Sequence, residues 1–256
     1  MPFPKADGVD GRADIHFHLL PGVDDGPRTL DESLDLAVHA ALDRTRTIVA
    51  TPHVRSDYVT DVSQLTERVR EVRARLARAG LRITVLVGAE LGHDMVGRLS
   101  QAELDIVAQG PAGARWLLVE TPFDGLADDF TAATAELRGR GFSCVLAHPE
   151  RAVRLLDDGG VAVRRELSEG GLLQVNGSSL AGWHGEAARQ VGFALVERFP
   201  AVVASDAHGA TRPPALSIAR ELTRMRGLGS LTGDLVEVGP RALLCRGLPL
   251  PVSAAA

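Results

Sequence analysis

Seven short apolar runs rich in β-branched residues recur along this chain, each ending in polar side chains before a helix-like segment begins. They cover residues 13–19, 47–53, 83–90, 116–123, 143–150, 172–178 and 201–208. Each has the length of a strand buried on both faces, and a strand that runs parallel to its predecessor needs a crossover connection, usually a helix. The intervening segments supply it. In 61–80, Leu65, Val69, Val72 and Leu76 fall at helical spacing, with Gly80 where a C-terminal cap belongs. Segments 30–43, 128–141, 186–199 and 214–226 have the same character. The alternation predicts an α/β fold with a parallel sheet. Seven units without a linker predict one closed TIM-like barrel over residues 1–256, a doubly wound open sheet being the alternative. Residues 228–256 are expected to form a peripheral C-terminal segment, frayed over the last four.

Composition narrows the class. Two cysteines exclude a disulfide scaffold or a Cys-rich zinc fold. A net charge of −5 argues against general nucleic-acid affinity, and the arginines at 68, 70, 73, 75 and 78, without interleaved aromatics, read as the solvated side of a helix. No run approaches the roughly 20 apolar residues that span a bilayer. The N-terminal Met1-Pro2-Phe3-Pro4-Lys5 lacks the apolar stretch of a signal peptide, so a cytoplasmic protein without membrane insertion is expected.

The polar ends of the runs carry the chemistry. In order they contain His16 and His18, His53, Glu90, Glu120, His148, Gln174 and Asn176, then Asp206 and His208. Residues two apart on a strand face the same side, which pairs His16 with His18 and Asp206 with His208. Each feature has an ordinary explanation by itself: a chance pair, a salt bridge, a core histidine, a loop residue. Five of the eight histidines standing at one end of successive strands is a different matter, because that end is the active-site mouth of a barrel. His39, His93 and His184 lie outside the strand ends and read as surface residues. Asp24-Asp25-Gly26-Pro27 is a turn that brings a carboxylate over the mouth. Imidazoles mixed with carboxylates and no thiolate suit Mn, Fe or Zn. The ligands exceed what one ion needs, so a multinuclear cluster for phosphoester hydrolysis is expected.

These stretches resemble the PHP (polymerase and histidinol phosphatase) superfamily, and within it the bacterial manganese-dependent protein-tyrosine phosphatases of capsule and exopolysaccharide loci, the CpsB/YwqE type. The resemblance rests on residues 14–27 with the pattern HxHxLPGxDDGP, on Thr51-Pro52-His53, Gly88-Ala89-Glu90, the LAHPER segment of 146–151, Gln174 to Ser178, and Ser205 to His208. It implies a distorted (β/α)7 barrel of the PHP type holding a trinuclear Mn²⁺ cluster. By position, His16, His18, Glu90 and Asp206 match the first metal's ligands, Glu90, Glu120 and His148 the second's, and Asp25, His53 and His208 the third's. Arg151 and Arg212 match arginines that hold the substrate phosphate, although the loop from His208 to Arg212 is shortened. Val54 stands where the family often has His or Arg.

The implied activity is hydrolysis of phosphotyrosine on a protein, such as a bacterial tyrosine kinase of capsule or exopolysaccharide synthesis, by a hydroxide bridging two metals. A PHP phosphoesterase acting on a small ester such as histidinol phosphate, or a non-catalytic metal-binding regulator, is the alternative. Four ligand carboxylates against three divalent ions leave the occupied site at about +2, attractive to an anionic ester despite the acidic chain. A cysteine-dependent phosphatase loop needs five residues between Cys and Arg; Cys144 and Arg151 have six, and Cys144 lies within an apolar run as a core thiol.

Overall fold

The computed structural model describes residues 11–251; the expected fraying of 253–256 lies outside them. Among the described residues there are nine strands: β1 (Arg12–Phe17), β2 (Thr45–Ala50), β3 (His53–Val54), β4 (Thr84–Val87), β5 (Glu90–Leu91), β6 (Trp116–Glu120), β7 (Ser143–Ala147), β8 (Leu172–Asn176) and β9 (Ala201–Ala204). All neighbours are parallel, in the orders β1-β2-β4 and β3-β5-β6-β7-β8-β9.

Seven runs became nine strands because two of them break. Pro52, which has no N–H to donate, separates β2 from β3. Gly88 separates β4 from β5 where the Val49 side chain packs close: a Cβ there would stand 2.4 Å from a Val49 methyl. Beyond each break the chain resumes alongside its old neighbour, as Glu90 N–H donates to the Pro52 carbonyl at 3.0 Å. Between β4 and β6 the ladder is interrupted, and Gln109 fills the gap. Its backbone pairs with Trp116 and its side-chain amide donates to the Val87 carbonyl.

The ring closes at the end of β9. Phe17 bridges Ala207 in parallel, Asp206 N–H donates to the His16 carbonyl at 2.9 Å, and His18 N–H donates to that of Ala207 at 2.9 Å. A doubly wound open sheet would leave these first and last strands apart.

Two apolar layers follow from the alternation of side chains. Outside the ring, helices pack their apolar stripes on the strands. The helix Leu65–Arg78 buries Leu65, Val69, Val72 and Leu76, the set read from spacing, and Gly80 follows it at φ 71°. Inside, Ile15, Val49, Trp116, Leu118, Val145, Ala147, Leu172, Val202 and Ala204 form a separate apolar plug. Polar residues continue the same inward parity one step beyond it, as in Leu118 to Glu120, Leu172 to Gln174 and Ala204 to Asp206. In β1 a register irregularity between Asp14 and Phe17 accompanies the switch from Ile15 in the plug to the histidines, the re-aiming that bulges achieve.

The segment after Gly227, expected to be peripheral, is instead the floor of this plug. The helix Gly239–Arg246 sends Leu243, 1% exposed, into the inner cluster, and the Leu243 carbonyl accepts the Trp116 indole N–H at 3.0 Å. A ring of small and aliphatic residues leaves its lower end open, and an apolar helix is what excludes water from it. Among the described residues no helix is long and apolar enough to cross a membrane.

Candidate metal centre

At the end of the ring opposite the floor, the strand-terminal side chains converge. Glu90, fully buried, is the hub: its Oε1 lies 2.7 Å from His148 Nε2, and its Oε2 lies 3.0 Å from His53 Nδ1, 3.2 Å from His16 Nε2 and 3.3 Å from His18 Nε2. Asp206 Oδ1 stands 3.3 Å from His16 Nε2 and 3.5 Å from His18 Nε2. Asp25 Oδ1 is 3.2 Å from His208 Nε2 and 3.6 Å from His53 Nε2. Three groups offer donor atoms that all lie within 4.8 Å of one another: His16, His18, Glu90 and Asp206; His18, Asp25, His53 and His208; and His53, Glu90 and Glu120.

The first group has the same four residues as the first set carried over by resemblance. The third expected set, Asp25, His53 and His208, recurs with His18 added. In the group around Glu90 and Glu120 the imidazole is that of His53, while His148 reaches the cluster through its hydrogen bond to Glu90. The groups share His18, His53 and Glu90, so they form one continuous cluster.

Four buried polar atoms of this cluster, His53 Nδ1, Glu90 Oε2, His148 Nδ1 and His208 Nε2, make no well-aligned hydrogen bond, although His53 Nδ1 lies 3.0 Å from Glu90 Oε2 and His208 Nε2 lies 3.2 Å from Asp25 Oδ1. Leaving a buried polar atom unsatisfied costs about 1–3 kcal/mol. Imidazole and carboxylate atoms that stand this close without aligning on one another fit cations held between them. Of the four non-glycine residues at positive φ among the described residues, two stand in this cluster. His148 (φ 35°) and Asp206 (φ 54°) both adopt left-handed conformations, which non-glycine residues rarely hold without a reason.

Charge and burial oppose each other here. Burial works to raise the Glu90 pKa, yet the imidazoles of His16, His53 and His148 outweigh it and hold the group well below the usual carboxylate range. Asp206 is lowered in the same way, against its own burial, by His16, His208 and His148. Burial tends to neutralise His18, but hydrogen bonds to Asp24 and Glu90 push its pKa up to about 10. The carboxylates are thus held ionised, the form that binds a cation.

Around the donors lies a layer that orients them. Asp24 and Asp25 divide their work. Buried Asp24 accepts from His18 Nδ1 at 2.7 Å and from His53 N–H at 3.0 Å, whereas half-exposed Asp25 faces His53 and His208. Gln174 Oε1 lies 2.8 Å from His16 Nδ1 and accepts from His148 N–H at 3.3 Å, and Asn176 Nδ2 donates to Asp206 Oδ2 at 2.7 Å.

Both expected arginines reach the mouth. Arg151, in the short helical turn Pro149–Arg151, donates to Asp206 Oδ2 at 3.4 Å. Arg212 pairs with Asp25; the shortened loop is a tight turn in which the His208 N–H donates to the Arg212 carbonyl at 2.9 Å. A third arginine was not foreseen. Arg55 donates to both oxygens of Glu120 at 3.1 and 3.0 Å, while Val54 before it is buried in the core.

His39 is exposed, as expected for a surface residue. His184 is not a free surface residue: its Nε2 is 3.0 Å from Ser178 Oγ, and burial together with the charge of Arg151 pushes its pKa down to about 4. Only the folding of the 177–185 segment over the mouth brings it there, so its sequence position carries no signal. Cys144 is fully buried in β7, and burial pushes its thiol up to about 12, which leaves it inert.

The chain matches the family described as capsular polysaccharide synthesis, CpsB/CapC, over residues 12–243. It belongs to that family. It is 29% identical over 206 residues to CapC of Staphylococcus aureus, covering 78% of each chain. It is 29% identical over 197 residues to tyrosine-protein phosphatase YwqE of Bacillus subtilis, covering 76% of each. A crystal structure from the pair YwqE of Bacillus subtilis and CpsB of Streptococcus pneumoniae, described as unique metal-dependent tyrosine phosphatases, superposes with a TM-score of 0.80 at 27% identity, covering 94% of this chain and 99% of the other. A Mycoplasma synoviae amidohydrolase superposes with a TM-score of 0.54 at 14% identity over 93% of this chain and 90% of its own, a likeness of fold alone.

Proposed function

We propose that this chain is a metal-dependent protein-tyrosine phosphatase of the cytoplasm, a phosphoric monoester hydrolase. Its substrate is a phosphotyrosine protein of capsule or exopolysaccharide synthesis, a bacterial tyrosine kinase being the partner that fits. The observation that carries this reading is the continuous donor cluster at the strand ends, with four buried atoms that make no well-aligned hydrogen bond and two arginines on its rim. The family membership and the two relatives described as tyrosine phosphatases support the substrate.

His16, His18, Glu90 and Asp206 would hold one ion, Glu90, Glu120 and His148 with His53 beside them a second, and Asp25, His53 and His208 a third. The set of imidazoles and carboxylates without thiolate suits Mn, Fe or Zn, and the resemblance to manganese-dependent phosphatases favours manganese among them. When bound, divalent ions supply Lewis acidity toward phosphoryl oxygens and a low-pKa water. The chain's own residues do the rest. Asp24 and Gln174 hold the rings of His18 and His16 in one orientation. Arg151 and Arg212 present guanidinium forks matched to two phosphate oxygens each, so charge moving onto the equatorial oxygens meets fixed donors. A tyrosyl leaving group has a pKa of about 10 and departs with little proton assistance.

The test is phosphate release from a phosphotyrosine peptide and from histidinol phosphate, each with added Mn²⁺ and with EDTA. Mn²⁺-dependent turnover of the peptide, abolished by EDTA, is expected. Full activity in the metal-free protein, or turnover of histidinol phosphate alone, overturns the reading.

A further inference from the structure

Aromatic residues are scarce in this chain, and among the described residues those exposed are Tyr58, Phe123 and Trp183. Two of the three are tied to the cluster by ring contacts. Tyr58 stacks on His53, centroids 5.2 Å apart, and Phe123 stacks on His148 at 6.1 Å. Phe123 stands out because it is 47% exposed and yet is held in place from two sides. Its carbonyl accepts Val153 N–H at 2.7 Å, which joins the loop after β6 to the segment carrying Arg151. The Arg151 guanidinium lies over its ring, 4.8 Å from the centroid. On another side the ring forms part of the wall of a groove of about 560 Å³ shared with Arg55, His93, Glu120 and Pro122.

An apolar ring left half in water beside a charged mouth contributes little to the core, since burying a phenyl group is what stabilises it. Its placement makes sense when something flat and apolar covers it. We propose that Phe123 is a specificity-determining residue that receives the aromatic ring of the substrate, so that the site selects aryl over alkyl phosphate monoesters. This rests on the phosphatase reading above. An aryl ester carries a flat ring directly next to its phosphate. With the phosphate on Arg151, that ring stands next to the side chain on which Arg151 itself rests, where an aromatic pair can form. A seryl ester would place peptide backbone there, which gains less from a phenyl face than an aromatic ring does. The same ring holds the guanidinium by a cation–π contact, so orientation of the phosphate donor and recognition of the ester group share one residue.

Binding of two phosphonates to the metal-loaded protein tests this without turnover. Phenylphosphonate and propylphosphonate share the anionic head and differ in the group beside it; affinities come from calorimetry on wild type, Phe123→Leu and Phe123→Tyr. Phe123→Leu is expected to weaken phenylphosphonate by about three- to tenfold, the scale of one aromatic pair, and propylphosphonate by less than about twofold. Phe123→Tyr is expected to retain wild-type selectivity. Equal weakening of both ligands would mean that the ring serves Arg151 only and would overturn the proposal, as would no change in either. Selective weakening of phenylphosphonate in a protein that hydrolyses no phosphotyrosine peptide would keep the aryl subsite and overturn the phosphatase reading instead.

Discussion

Arg151→Ala separates a phosphate clamp from an ordinary ion pair, because the two roles differ in size and in observable. The Arg151 guanidinium makes one hydrogen bond among the described residues, at 3.4 Å to Asp206, and lies over Phe123; its side chain is 22% exposed. A partly exposed pair of that length is worth at most about 1 kcal/mol. Asp206 is not orphaned by the change, since Asn176 Nδ2 still donates to it at 2.7 Å. At this chain length 1 kcal/mol lowers Tm by about 2–4 °C. As a clamp, removing one donor to transition-state charge costs about 2.7–4 kcal/mol, or two to three orders of magnitude in kcat/KM. Steady-state kinetics on a phosphotyrosine peptide, with metal analysis and thermal melts on the same preparations, should therefore show a large kinetic loss, near-normal metal content and a small shift in Tm. Arg151→Lys should recover only part of the loss, because an ammonium lacks the bidentate fork. Unchanged kcat/KM in Arg151→Ala would remove the residue from the site, and a loss that tracks metal content would reassign it to holding Asp206.

Three further outcomes follow from the geometry. Asp24→Ala should weaken metal affinity by about 10–100-fold through loss of the His18 and His53 contacts, measured by competition with a chelator; unchanged affinity would remove Asp24 from its orienting role. Cys144, with its thiol pushed up to about 12, stays protonated at pH 8, so iodoacetamide should label exposed Cys245 and spare Cys144, and Cys144→Ser should keep most activity; a loss of several orders with metal content intact would reverse the choice against thiol chemistry. Leu243→Ala should cost about 2–5 kcal/mol in chemical denaturation with kcat little changed, and a cost below about 1 kcal/mol would show that the C-terminal helix does not seal the ring.

How much of this was legible beforehand depended on whether the information was local. Period two along a strand put His16 with His18, and the 3.6-residue period put Leu65, Val69, Val72 and Leu76 on one buried face. Seven strand-like runs, each ending in a donor or hydrogen-bonding group, implied a mouth before any coordinates, because parallel strands linked by helices must all present the same end to one side. The residue types then limited the metal class, and the six-residue spacing to Arg151 within an apolar run removed Cys144 from the chemistry.

What only tertiary structure decided was proximity between residues distant in sequence, for which no period exists. The break at Gly88 depends on how closely Val49 of the neighbouring strand packs against it, and the interior use of Leu243 depends on an open ring end that appears only once the strands close. Two adjacent carboxylates, Asp24 and Asp25, are alike in sequence; their roles differ because the turn aims one at His18 Nδ1 and the other toward His208. His53 joins Glu90 and Glu120, Arg55 reaches Glu120, His184 meets Ser178, and Phe123 lies under Arg151, each through loops from different strands. Local pattern determined which side chains could be donors and at which end of the barrel they stand. Their grouping, and the groups that aim them, came from the packing of loops whose geometry no single segment specifies.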